Sequence, residues 1–358
     1  MKERLKYFDV MKGMAIFMVV MGHILTMCVR DIDRAPVFKF IGQIHMPLFF
    51  FISGWFAVKL NDNASLRTPG LLQRAKRLLL PMLGASTLFI YYYPSSGLQS
   101  PFDSTWSGLW LNVWKNGYWF TFVLFEIFAV YAAYTLIVRR VRSFWVELLA
   151  VVAVWAVLGG IYLFLPAVAD AFLSFELVFT FFPIFMAGAL ARRHSEAFMR
   201  LCASSGAVTV SLVLVVLCMA FVCWPWNYSF GSKFNVILAQ IVMQISLAIV
   251  AVAVVKPWSE RAFDASRPAP GRFASMWAFL GDKSLAIYLL HYFFLFPMPF
   301  MRPLLESFGL SVVPLLVFAA VFAIPVVALS LCADYVLSFS RLFCMFITGS
   351  TPSKALKS

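Results

Sequence analysis

The chain has 358 residues, of which 62% are hydrophobic, 17% aromatic and 13% charged, with a mean hydropathy of +0.87. A soluble protein carries roughly twice that charged fraction, and one core of this length cannot hide so much apolar surface. A soluble globular enzyme is therefore excluded, and an integral membrane protein is expected.

The formal charge of +13 would suggest nucleic acid or an acidic surface in a soluble chain. Here the basic residues sit between apolar runs and lack the interleaved aromatics of a nucleic-acid groove, so no nucleic-acid partner is expected. Stretches long enough to cross about 30 Å of hydrocarbon lie near 11–29, 38–58, 78–93, 118–138, 145–165, 172–191, 206–224, 234–255, 276–296 and 312–337. The first continues into charged residues without a small-residue cleavage site and reads as an uncleaved span. The third is short and ends in Tyr91, Tyr92, Tyr93 and Pro94, as an aromatic belt does. Before the fourth, Trp106, Trp110 and Trp114 at helical spacing fit an interfacial helix resting on the membrane or, alternatively, a sugar-stacking platform. The connection 256–275, with Arg267, Pro268, Ala269, Pro270, Gly271 and Arg272, reads as a mobile loop.

This pattern predicts an all-α fold, a polytopic membrane helix bundle of about ten transmembrane helices. Continuous apolarity without period-two alternation argues against a β-barrel. No internal repeat is evident and the connections are short, so 1–358 reads as a single integral-membrane domain. Summed over alternate connections, 23 basic residues fall on the N-terminal side and 6 on the other, which predicts that both termini are cytoplasmic. Arg139, Arg140, Arg192 and Arg193 read as topology determinants of this kind. The six cysteines lie in or beside apolar segments without C-x-x-C spacing, so they read as packing thiols and no metal site is expected.

An ionisable side chain inside a bilayer is costly and marks a functional site by default. His23 lies about 18 Å along the first helix from Met11, toward the outer leaflet; His45 is placed at the outer start of the second helix and His291 late in the ninth. Glu126 lies about 12 Å below Tyr118 in the inward-running fourth helix. Any one of these histidines alone also fits a hydrogen-bonded packing residue. Together they converge at similar depth, where a neutral imidazole can take a proton from a hydroxyl and a carboxylate can stabilise the imidazolium. Three-histidine metal ligation is the rival, without H-x-x-x-H spacing to support it, and no G-x-S-x-G elbow suggests an acyl-enzyme. Ahead of the third helix, Arg74 and Arg77 at i and i+3, with Lys76 between them, suit a phosphate bidentately or anchor the helix end to lipid.

These residues also carry a resemblance. The opening RLKYFDVMKGMAIFMVVMGH is similar to the signature of the membrane-bound acyltransferase 3 family: Arg, Asp five residues on, a basic residue and Gly, then an apolar run ending in His. Arg4, Asp9, Lys12, Gly13 and His23 occupy those places, with Lys12 where Arg is common. IHMPLFFFISGW resembles the family's second helix, here His45 to Gly54, and RAKRLLLP its R-x-x-R ahead of a proline-capped helix, at Arg74, Arg77 and Pro81. YWF at 118–120 and LGDKSLAIYLLH at 280–291 resemble the opening of its fourth helix and the segment before its late His. The flavour is that of the fucose 4-O-acetylase-like group.

The resemblance implies a ten-helix acyltransferase of the bacterial cytoplasmic membrane. It would take acetyl or another short acyl group from acyl-CoA in the cytoplasm to a hydroxyl, often on an envelope glycan. Arg74 and Arg77, with Arg4 and Lys76, would hold the CoA phosphates; His23 would be the general base, Glu126 its polar partner, and His45 or His291 would orient the acceptor or stabilise the oxyanion. Apart from acyl-CoA, a sugar acceptor and membrane lipid, no partner is implied. A polytopic transporter of a lipid-linked sugar or small anion is the alternative from a different class.

Overall fold

Backbone polar groups in lipid must be satisfied within the segment, which leaves helices or closed barrels, and here the long elements are helices. The computed structural model describes residues 5–29, 32–59, 66–96, 104–141, 143–223, 230–264, 266, 270–296, 298, 301–307, 309 and 311–349. In chain order the helices are α1 (Lys6–Cys28), α2 (Pro36–Ala57), α3 (Leu71–Ser96), α4 (Trp106–Leu111), α5 (Trp119–Ile137), α6 (Phe144–Phe164), α7 (Ala167–Leu173), α8 (Phe175–Arg193), α9 (Ser195–Ala203), α10 (Ser205–Cys223), α11 (Phe230–Ala262), α12 (Arg272–Asp282), α13 (Ser284–Leu290), α14 (Arg302–Ser307), α15 (Val312–Leu337) and α16 (Arg341–Phe343). Eight among the described residues are long and apolar enough to cross a membrane: α1, α2, α5, α6, α8, α10, α11 and α15. The chain is a multi-pass membrane protein.

The other two expected stretches are helical too, in different form. The stretch 78–93 lies inside α3, which runs unbroken for 26 residues, so Arg74, Lys76 and Arg77 stand on its first turns and not in a preceding loop. The stretch 276–296 is broken into α12, α13 and a 3-10 turn at His291–Phe294; the first break falls at Asp282 and Lys283, adjacent charges in an otherwise apolar run. The connection read as a mobile loop shortens to 263–271. α11 continues through Pro257 to Ala262, α12 starts at Arg272, and the Gly271 N–H donates to the Ala262 carbonyl at 2.8 Å. Arg267, Pro268 and Ala269 lie outside the described residues. Of the three tryptophans, α4 carries Trp106 and Trp110, while Trp114 lies beyond it.

The chain divides into two compact units, each assembled from separate stretches of sequence. In the unit made of 1–52, 195–284 and 297–328, α1 crosses α12 at reciprocal glycines: a Cβ on Gly13 would overlap the Trp277 carbonyl, and one on Gly281 the Asp9 carbonyl. Lipid tails are as apolar as leucine, so helices in a bilayer gain by close packing of small residues, which is what this crossing does. Beside it, Lys12 pairs with the buried Asp9 at 2.9 Å. α10 and α11 pack around Val215, Val222 and Met243, and Gln244 donates to Gln43 Oε1 at 2.7 Å, tying α11 to α2.

The unit made of 53–194, 285–296 and 329–358 repeats the device. Gly54 faces the Phe185 backbone of α8, and Gly84 of α3 faces the Phe346 backbone in the π turn Cys344–Thr348. α6 lies on α8 through Trp155, whose Nε1 donates to the Phe179 carbonyl at 3.0 Å and whose ring stacks on Phe179 at 5.2 Å. The two helices are closed by Glu147, buried, which pairs with Arg193 Nε at 3.0 Å and His194 Nε2 at 3.5 Å. Arg193 is thus more than a topology determinant, because removing one partner of a buried pair strands the other charge.

Gly281→Ala should lower the apparent melting temperature of the detergent-solubilised protein by several degrees, the overpacked crossing costing about 1–3 kcal/mol. Gly42→Ala, where a Cβ meets nothing within 4 Å, should leave it unchanged or higher, and equal shifts for the two would remove the crossing as the cause.

Candidate active site

His23 stands on α1, partly buried, and His45 on α2. Because α2 begins at Pro36, His45 is a mid-helix residue and not the first turn. Its Nδ1 lies 2.5 Å from the Ile41 carbonyl one turn back. A ring nitrogen facing a carbonyl carries the proton, so in the neutral ring Nε2 holds the lone pair. That is the tautomer a base or a hydroxyl acceptor needs.

In the other unit His291 is fully buried at the junction of α13 and the 3-10 turn. Its Nδ1 faces the Ile287 carbonyl at 3.0 Å, which directs the lone pair to Nε2 by the same argument. A group of tyrosines fixes the segment. Tyr288 and Tyr292 flank His291, the Tyr292 ring only 4.0 Å from the imidazole between centroids. Both hydroxyls donate to one acceptor, the Gly117 carbonyl, at 2.9 and 3.0 Å. In return Tyr118 donates to the Leu289 carbonyl at 3.1 Å, Phe120 N–H donates to the Tyr288 hydroxyl at 3.2 Å, and Tyr93 of α3 donates to the Tyr292 carbonyl at 2.6 Å.

Gly117 can offer that carbonyl because the turn before α5 is left-handed over three residues, Lys115 at φ 48, Asn116 at φ 53 and Gly117 at φ 87. For the two that are not glycine this costs about 1–3 kcal/mol each, so the neighbours must enforce it. Asn116 Nδ2 donates to the Thr105 carbonyl at 2.9 Å, and Ser174 Oγ donates to the Val113 carbonyl at 2.8 Å. Lys115, with no exposed surface, sends its ammonium to the carbonyls of Trp110, Ala171 and Phe172 at 3.2, 2.6 and 2.9 Å. Two of these are last-turn carbonyls of α7, which lack helical partners and carry the negative end of the dipole. Burial pushes the ammonium down to about 8, opposed by the charges of Glu126 and Asp170. Glu126, eight residues into α5, has Oε2 buried without a hydrogen-bond partner among the described residues.

At the start of α3, the Arg74 guanidinium lies over the Phe128 ring of α5 at 4.1 Å. Burial, and then the neighbouring Arg77, hold its pKa below the ordinary value, although a guanidinium stays charged. Arg77 and Lys76 are exposed. Arg4 lies outside the described residues. Among those described, no group of three His, Cys, Asp or Glu is placed to hold a metal ion.

Residues 5–335 match the model of the Acyltransferase domain family, acyltransferase 3. The chain belongs to the acyltransferase 3 family. It is also similar to Nodulation protein NolL of Mesorhizobium japonicum, 36% identical over 155 residues, which is 41% of this chain and 40% of that protein. Nodulation protein NolL of Sinorhizobium fredii is 42% identical over 83 residues, 21% of this chain and 22% of that one. The matches thus span two fifths or less of the relatives' own length. No solved structure matches.

For an acyltransferase 3 chain the structure places His23 and His45 in one unit and Glu126, His291, Arg74 and Arg77 in the other. Sequence reasoning missed Lys115 and the tyrosines around His291. The run Lys115, Asn116, Gly117 was the available signal, since Asn and Gly favour left-handed backbone. Tyr292→Phe should cost about 1 kcal/mol of stability, read as a lower melting temperature. Adding Tyr288→Phe should cost more than the sum of the two single changes, because the buried Gly117 carbonyl then loses both donors.

Proposed function

We propose that this chain is an acyltransferase of the bacterial cytoplasmic membrane, moving an acetyl or other short acyl group from cytoplasmic acyl-CoA to a hydroxyl of an envelope glycan or other sugar. The observation that carries the donor side is the state of Arg74 and Arg77. Lys12, Arg193 and Lys256 each have a carboxylate partner, whereas Arg74 and Arg77 have none among the described residues. Arg74 is held instead by the face of Phe128, which leaves the N–H edge of its guanidinium for an anion. Two guanidiniums one helical turn apart suit the phosphates of the donor, with Lys76 adding charge and Arg4 joining them by the family resemblance.

On the acceptor side His23 is the general base. The imidazole takes the hydroxyl proton as the acceptor oxygen attacks the thioester carbonyl. The tetrahedral adduct then expels the sulfur, the C–S bond breaking as the ester C–O bond is kept, and the proton passes to the departing thiolate. Glu126 is the polar partner of the site. His45 and His291, with Nε2 as the nitrogen not tied to backbone, orient the acceptor or, when protonated, donate to the oxyanion.

CoA thiol release from acetyl-CoA by membranes containing the protein, supplied with an envelope-glycan fraction, tests this reading. Release should require the glycan and should vanish in His23→Ala at unchanged protein level; persistence in that variant removes the base assignment. Replacing both Arg74 and Arg77 by Ala should raise KM for acetyl-CoA about tenfold or more, the loss of at least one charge-assisted contact, with a smaller effect at saturating donor. An unchanged KM would leave these arginines as topology alone.

A further inference from the structure

Lysine is almost never fully buried unless it is paired. Lys115 is fully buried, yet its three hydrogen-bond partners are neutral carbonyls. Carbonyl dipoles stabilise a cation without cancelling it, so a whole unit charge acts on whatever else lies near. A tie between α4, α7 and the turn does not need that charge, because Asn116 to Thr105 and Ser174 to Val113 already close it with neutral groups. The backbone strain supports a specific purpose as well. The positive-φ residues other than glycine among those described are Lys115, Asn116 and Ser174, all in this one clasp, and strain of this sort gathers where function over-determines the fold.

What the charge faces is on α5. Phe122 and Glu126 are four residues apart and share one face of the helix. The ammonium lies 5.2 Å from the Phe122 ring, Glu126 is within its electrostatic reach, and the buried Oε2 of Glu126 has no hydrogen-bond partner among the described residues. The other charged group near Lys115 is Asp170, whose Oδ1 is engaged by the Glu176 N–H at 2.8 Å. We infer that Lys115 is a positioning residue for acyl transfer, its fixed ammonium favouring the ionised form of the Glu126 carboxyl against the apolar surroundings that oppose it. A carboxylate left there without a cation takes up a proton and can no longer stabilise an imidazolium or accept from an acceptor hydroxyl. The inference rests on the role proposed above for Glu126.

A double-mutant cycle tests it. Wild type, Lys115→Met, Glu126→Gln and the double variant are compared for CoA thiol release from acetyl-CoA with the envelope-glycan fraction, each normalised to folded protein in the membrane. Lys115→Met should slow release about tenfold or more in the native background, and less than about twofold once position 126 is Gln. An equal loss in both backgrounds makes Lys115 a mechanical tie and overturns the inference, as does the absence of any loss.

If Lys115→Met does not accumulate, Lys115→Arg serves as the probe, because it keeps a fixed cation while breaking the ammonium's geometry toward the three carbonyls. Lys115→Arg should release thiol within about threefold of wild type, and an equal loss of about tenfold or more in the native and Glu126→Gln backgrounds makes Lys115 a mechanical tie and overturns the inference. A Glu126→Gln variant as fast as wild type overturns this inference together with the part given to Glu126. A wild type that releases no thiol fails the transfer reading itself and takes the inference with it.

Discussion

One carbonyl, that of Gly117, accepts the hydroxyls of both Tyr288 and Tyr292, and much of the arrangement around His291 depends on it. Those tyrosines flank the imidazole, so the direction of the carbonyl sets where the histidine stands. A glycine at φ 87 gives that direction without a Cβ clash. Lys115, which tolerates such a turn poorly, and Asn116 precede the glycine, and their buried contacts hold them there. Local conformation, burial of a cation and placement of a histidine are therefore one problem with one solution.

The rest of the bundle answers a different constraint. Between helices in lipid there is no hydrophobic gain to bring them together, and the glycines at 13, 281, 54 and 84 let backbones meet where side chains would hold them apart. Among the described residues buried ion pairs are few, as their desolvation requires. Glu147 with Arg193 and His194 is the case that spans two long helices, and it sits where α6 begins and α8 ends.

Much of the fold was legible because hydropathy is a direct reading of the solvent a segment occupies. α1, α2, α5, α6, α8, α10, α11 and α15 all fall on predicted spans. The stretch at 276–296 is helical, but it parts at Lys283 into α12 and α13, a break that a window average of hydropathy does not register. The start of α3 was missed for the opposite reason, since Arg74, Lys76 and Arg77 make a helical turn look like a loop to a hydropathy scan while arginine and lysine are good helix formers. In the candidate site, single ionisable residues in apolar runs were visible, as Glu126 and His291 show. Lys115 was not, because a basic residue at a membrane boundary reads as topology until the carbonyls that enclose it are seen.

A packing histidine and a catalytic one are usually treated as alternatives, and the hydrogen bond from a helix ring to the carbonyl one turn back belongs to the first. Yet His45 to Ile41 and His291 to Ile287 are that bond, and it is what leaves Nε2 with the lone pair. The contact that satisfies the ring inside the helix also selects the tautomer that can accept a proton. An intramembrane histidine anchored through Nδ1 is thus prepared for chemistry by its own packing, and what decides between the two roles is whether a hydroxyl can reach the other nitrogen.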